Sequence, residues 1–190
     1  MADLEIILFR SMGDWERWLE ANKDTSPGVR LQIAKKASGK DSISYAEALE
    51  AALCFGWIDS RKEGFDDDYW LQRFTPRRKR SKWSAINREK AESLIEQGRM
   101  QEAGLREVES ARQDGRWEAA YQSQSNITVP DDLQQALDAN ETARAFFETL
   151  DSANRYAILY RVGDAKKAET RQKRIDQFVQ MLAEHKKIHE

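Results

Sequence analysis

The residues best equipped for chemistry gather in one stretch. Between Trp57 and Asn87 stand three of the chain's six tryptophans, and of the seven residues after Pro76, RRKRSKW, six are basic or serine. Arginine and lysine neutralise phosphates and carboxylates, while an indole stacks on a planar base; single-strand binders combine the two. Arg77, Arg78, Lys79, Arg80 and Lys82 with Trp83 are therefore candidates for holding an anionic ligand or a nucleic acid. The plainer alternative is a solvated basic loop, or one docked on the protein's own acidic block. Asp59 and Arg73 form a second candidate. If their segments pair as a hairpin, the two can meet as an ion pair beside Trp57, Trp70 and Phe74, in an aromatic-walled pocket for an anionic small molecule. A structural ion pair is the alternative there. Gln72 and Asn87, in the same segment, complete the set of candidate ligand-binding residues.

Charge supports this focus. The formal net charge is −2, yet residues 71–91 carry 8 basic groups and 1 acidic group, while residues 92–151 carry 5 and 13. A local +7 concentrates counter-ions whatever the total, so the mildly acidic composition does not argue against an anionic partner. The other candidates read as structural. Cys54 rules out an internal disulfide and reads as a small buried hydrophobe near the end of an apolar helix. His185 and His189 have the spacing of a helical metal pair but lack a second pair of ligands, so a fraying tail is expected. Asp66, Asp67 and Asp68 lack the alternating spacing of a calcium loop and suit a hairpin turn. No glycine-rich phosphate loop occurs, and both histidines lie near the C-terminus. No catalytic residue and no cofactor is assigned, which favours a non-catalytic role.

The elements that must position the stretch are legible from periodicity. Trp15, Trp18 and Leu19 mark a first helix, and Val29, Leu31 and Ile33 alternate as a half-buried strand. Ser44 and Glu47 form a capping box before a helix carrying Ala48, Leu49, Ala52 and Leu53 and stopped by Gly56. Trp57 to Glu63 and Tyr69 to Phe74 flank a turn-forming GFDDD. Beyond Pro76 the pattern is helical. Ser84 begins a helix through Leu94 and Ile95, and Leu105, Val108 and Ala111 mark the next, with Gly104 awkwardly inside it. Residues 122–130, QSQSNITVP, read as a linker, and helices follow around residues 133–137, 143–150, 153–162 and 175–182. The expected architecture is α+β, with a small, mostly antiparallel sheet of three strands and packed helices over residues 1–129, and an all-helical module over 130–190.

The N-terminus, with acidic Asp3 and Glu5 and a short apolar run from Ile6 to Phe9, is unlike a secretory signal, and no run approaches the roughly 20 apolar residues of a membrane span. A cytoplasmic location is expected.

Several runs resemble the YdeI/OmpD-associated family, also known as the bacteriocin-protection or OmdA-type family: CFGWIDS at 54–60, QRFTPRR at 72–78, SKWSAIN at 81–87, LIEQGRM at 94–100 and DGRW at 114–117. Tyr156-Ala157-Ile158 followed by AKKAETRQKRI at 165–175 resembles the terminal helical module of that family, with Ala168 where a proline often stands. The resemblance implies a part in tolerance of bacteriocins or antimicrobial peptides and association with an outer-membrane porin. It implies no reaction and no catalytic residues. Porin contact requires a compartment other than the cytoplasm.

Overall fold

A computed structural model describes residues 4–190; Asp3, part of the N-terminal reading, lies outside them. Among the described residues the fold is α+β, with eight α-helices and one four-stranded sheet, and the chain divides into two compact units. One unit comprises residues up to Trp83 together with Asn87–Ala120; the other comprises Ser84–Ile86 and Tyr121–Glu190.

The first unit is built on the sheet. Its strands are β1 (Ile6–Ile7), β2 (Val29–Ala34), β3 (Trp57–Gly64) and β4 (Tyr69–Pro76), in spatial order β1-β2-β4-β3. The β2–β4 and β3–β4 pairs are antiparallel, but β1 runs parallel to β2, so the sheet is mixed and has a fourth strand that periodicity did not reveal. Two residues cannot display an alternation, and β1 is set by pairing with β2, through contacts such as Arg30 N–H donating to Glu5 O at 2.8 Å. The helices are α1 (Met12–Asn22), α2 (Tyr45–Cys54), α3 (Ala85–Glu96, of which the first unit takes the part from Asn87) and α4 (Glu102–Gln113).

The expected faces hold. Val29, Leu31 and Ile33 alternate buried with half-buried neighbours. Ser44 and Glu47 close a reciprocal capping box at the head of α2. The core is aromatic. Trp15 stacks on Trp18 at 5.3 Å, Trp57 meets both edge-on at 6.4 and 5.7 Å, and Phe74 lies 5.7 Å from Trp15. Each such pair adds about 0.5–1.5 kcal/mol beyond area burial. The Trp15 indole donates to Ala48 O at 3.0 Å, tying α1 to α2.

Two glycines explain how α4 closes on α2. Gly56, at φ +75°, ends α2 in the left-handed region, and a Cβ there would stand 3.0 Å from Ala103 O. Gly104, which looked out of place inside a helix, is the contact point itself, because a Cβ there would lie 2.3 Å from Cys54 O. Helix propensity is given up for close approach.

The second unit contains α5 (Asp131–Asp138), α6 (Glu141–Thr149), α7 (Ser152–Gly163) and α8 (Ala168–Ala183) around Leu133, Leu137, Phe147, Ile158, Ile175 and Leu182. Ile127 and Val129, in the segment read as a linker, pack against this core. Arg171 of the ETR run forks onto Asp132, at 2.5 Å from Nε and 2.8 Å from Nη2, and its Nη1 donates to Val162 O, so one guanidinium joins α5, α7 and α8. The C-terminal tail is tied down where fraying was expected. Buried Asn154 accepts on Oδ1 from the N–H groups of Ile188 and His189 and donates to His189 O. An amide side chain satisfies both directions of backbone hydrogen bonding, which a sequence pattern does not reveal.

Candidate functional site

The predicted candidates lie from the middle of β4 to beyond its C-terminal end. At its C-terminal end the chain leaves the sheet through Arg77. This arginine is buried at 7 % exposure, its N–H donates to Gly56 O, and its guanidinium lies 3.5 Å over the Trp83 ring while Nη1 donates to Lys82 O at 3.3 Å. Trp83 is 1 % exposed and packs edge-on against Trp117 at 4.8 Å. Its indole N–H has no hydrogen-bond partner among the described residues. A ring buried beneath a guanidinium presents no face to a base, so the stacking role expected of Trp83 does not fit its position. Asn87 is also buried.

Between Arg77 and Trp83 the chain forms a tight turn. Arg78 N–H donates to Ser81 Oγ at 2.9 Å, and Ser81 N–H returns to Arg78 O at 2.7 Å. The DGRW run holds the turn from behind: Arg116 Nε donates to both carboxylate oxygens of Asp114 at 2.7 and 2.8 Å, its Nη1 donates to Ser81 O at 3.0 Å and its Nη2 to Ser110 Oγ at 3.1 Å. Arg78, Lys79, Arg80 and Lys82 are exposed. Arg78, Lys79 and Arg80 form no ion pair among the described residues. A rigid turn thus carries exposed cations while its neighbouring aromatic is inside.

Asp59 and Arg73 do not meet. Asp59 lies opposite Phe74 in the β3–β4 ladder, so its side chain shares Phe74's face, whereas Arg73, one residue earlier, points to the other. Asp59 Oδ2 accepts from the Tyr45 hydroxyl at 2.8 Å. Half-buried Arg73 stands opposite Arg30 across the β2–β4 pair, and its buried Nε has no hydrogen-bond partner among the described residues. A bulge between Asp59 and Lys62 separates the strands locally; there the buried Gln72 amide donates to Arg61 O and Arg73 O, each at 3.4 Å. Trp57 is a core aromatic, 1 % exposed.

At the N-terminal end of β4 lies a cleft of about 650 Å³ that sequence reasoning missed. Ile33 and Ala34 come from the end of β2 and Lys35 and Lys36 from the turn after it, Ser44 and Tyr45 from the start of α2, Lys62, Glu63 and Gly64 from the end of β3, and Trp70 from β4. Tyr45 and Trp70 have ring centroids 6.1 Å apart and tilted by 49°, and the Lys62 ammonium sits 4.3 Å above the Trp70 ring. The hairpin turn that brings β3 and β4 here is braced by Asp66, whose Oδ1 accepts from the N–H groups of Asp68 and Tyr69. The available signal was the pattern of Trp70 two residues before Gln72 on one strand face, but the cleft's other walls lie up to 37 positions away in the chain, at Ile33.

Two other polar candidates settle into structural positions. Cys54 is 2 % exposed, and burial pushes its thiol up to about 11, against the pull of Arg99. His185 packs edge-on against Phe146 at 5.0 Å.

Comparison with known families divides the chain along similar lines. Residues 126–185 match the family described as Bacteriocin-protection, YdeI or OmpD-Associated, which bears out the resemblance for the helical C-terminal region. Residues 7–107, more than half of the chain, match a second family, and the chain belongs to it: a domain of unknown function, DUF8412, whose match contains β2 to β4, the cleft and the basic turn. No curated protein and no solved structure matches the chain.

Proposed function

We propose that the protein is a non-catalytic binding protein of the cytoplasm, acting in tolerance of bacteriocins or antimicrobial peptides, whose surface for an anion-bearing partner is the turn after β4. The exposure of Arg78, Lys79 and Arg80 on a pinned turn, without ion pairs among the described residues, carries this reading. The backbone of a hydrogen-bonded turn is already ordered before binding, and cations not neutralised by the protein's own acids release counter-ions from a polyanion. The same charge repels cationic peptides, so direct capture of such a peptide is not the role proposed for this turn; nucleic acid is the partner to test first. No helix among the described residues is long and apolar enough to cross a membrane.

The test is a titration of labelled single-stranded and duplex oligonucleotides at two salt concentrations, with the Arg78/Lys79/Arg80 triple alanine variant alongside. Three phosphate contacts on a single strand give a slope of about −2 in log affinity against log salt. Binding with that slope, lost in the variant, is expected. No binding at low salt would overturn the nucleic-acid reading. A second reading, a small anionic ligand, is favoured by one specific observation, the cleft at the other end of β4.

A further inference from the structure

We propose that the cleft at the N-terminal end of β4 binds a small planar aromatic molecule carrying an anionic group, its ring stacked on Trp70 and its charge held by Lys62, Lys35 and Lys36. The volume of about 650 Å³ lies in the range of small-molecule sites, and the floor of Ile33 and Ala34 with the Tyr45 and Trp70 rings is apolar, as such sites are.

Ring geometry decides how the ligand sits. Tyr45 and Trp70 centroids are 6.1 Å apart, less than the roughly 7 Å that two stacking distances of about 3.5 Å require, so a ring is not sandwiched between them. The accessible alternative is the Trp70 face over which Lys62 now lies at 4.3 Å. An exposed cation–π contact of this kind is weak and readily exchanged. A ligand ring replaces the ammonium on the indole, and the ammonium moves to the ligand's own anion. Lys62 thereby passes from covering the stacking face to pairing with the bound charge.

Charge decides the sign of the ligand. Three lysines and one glutamate line the cleft. Of the acids nearby, Glu63 pairs with Arg61 at 3.2 Å and Asp68 with Lys40 at 3.8 Å, while Glu47 and Asp59 keep their charge but turn it to the Ser44 and Tyr45 hydroxyls. Lys35 donates to the neutral carbonyl of Asp66 and keeps its charge, and Lys36 forms no ion pair among the described residues. A cationic ring would face this field unfavourably, and a neutral one would gain nothing from it.

The test is an NMR titration of the full chain that follows the Trp70 indole N–H signal, identified by its absence in Trp70→Leu. The probes are 2-naphthoate, adenosine monophosphate, cyclohexanecarboxylate and 2-naphthalenemethanol. Either of the first two shifting that signal, with cyclohexanecarboxylate and 2-naphthalenemethanol binding at least tenfold more weakly, is expected; which of the two binds tighter separates an aromatic carboxylate from a nucleotide as the source of the chemistry. Lys62→Ala and Lys36→Ala, both at exposed positions, should each weaken binding severalfold. No shift by either aromatic anion at millimolar concentration, equal binding of the neutral or aliphatic probe, or affinity unchanged in both lysine variants would each overturn the proposal. The Arg78/Lys79/Arg80 variant should bind these probes as the parent does.

Discussion

The two ends of β4 pair the same residue types in opposite arrangements. At the Pro76 end, cations are outside on a pinned turn and the tryptophan is inside, under Arg77. At the Tyr69 end, the aromatic rings of Tyr45 and Trp70 line an open cleft and lysines stand around them. The ends are separated by the length of the strand, about 23 Å over the seven steps from Tyr69 to Pro76. A basic run next to a tryptophan in sequence is therefore not a stacking platform, whereas an aromatic surface with cations exists where no run announces it. Proximity along the chain says which groups are available; register and burial say which of them face a ligand.

That contrast can be broken most sharply at Trp83. If its ring is part of the core, Trp83→Ala should cost about 3–5 kcal/mol in chemical denaturation, the usual loss for truncating a buried aromatic. Near-native stability together with lost oligonucleotide binding would instead make Trp83 a contact residue. A smaller effect sharpens the cleft end. Tyr45→Phe removes the hydroxyl that donates to Asp59 and should lower the unfolding free energy in chemical denaturation by about 1 kcal/mol while leaving ring stacking intact.

The Arg171–Asp132 fork offers a third comparison, between motif residues that bind and motif residues that brace. Arg171 beside it holds the Asp132 carboxyl below its ordinary value, so the stabilisation is present above the unfolded carboxylate value and is lost as pH falls through the lower folded one. Both side chains are partly exposed, so the loss should stay below about 1 kcal/mol. In acid titration of the folded protein it should appear only below about pH 4, and Asp132→Asn should flatten that limb. The smallest effect on stability is expected for the Arg78/Lys79/Arg80 triple alanine variant, within about 0.5 kcal/mol of the parent, because those side chains are exposed and unpaired among the described residues. A larger loss would mean that the turn is structural.

Much of the fold was legible because local rules agree with it. The capping box of Ser44 and Glu47, the alternation of Val29, Leu31 and Ile33, the turn at Asp66 and the apolar stripe of Ile175, Phe178, Val179 and Leu182 each specify an element without outside help. β1 escaped because two residues carry no period and form a strand through parallel pairing. Gly104 looked like a defect because propensity does not know that Cys54 O comes within reach. The candidate site was legible in composition but not in arrangement. Asp59 and Arg73 were separated by a one-residue difference in register that puts them on opposite faces. The cleft was invisible because its walls come from four elements, and no local pattern links Lys35, Tyr45, Lys62 and Trp70.

The most direct measurement crosses the two ends: affinity for a labelled single-stranded oligonucleotide at low salt, in the parent, the Arg78/Lys79/Arg80 triple alanine variant and Lys62→Ala. Binding that the triple variant loses and Lys62→Ala retains is expected, with the parent's affinity falling steeply as salt is raised. No binding by the parent, or equal binding by parent and triple variant, would contradict it.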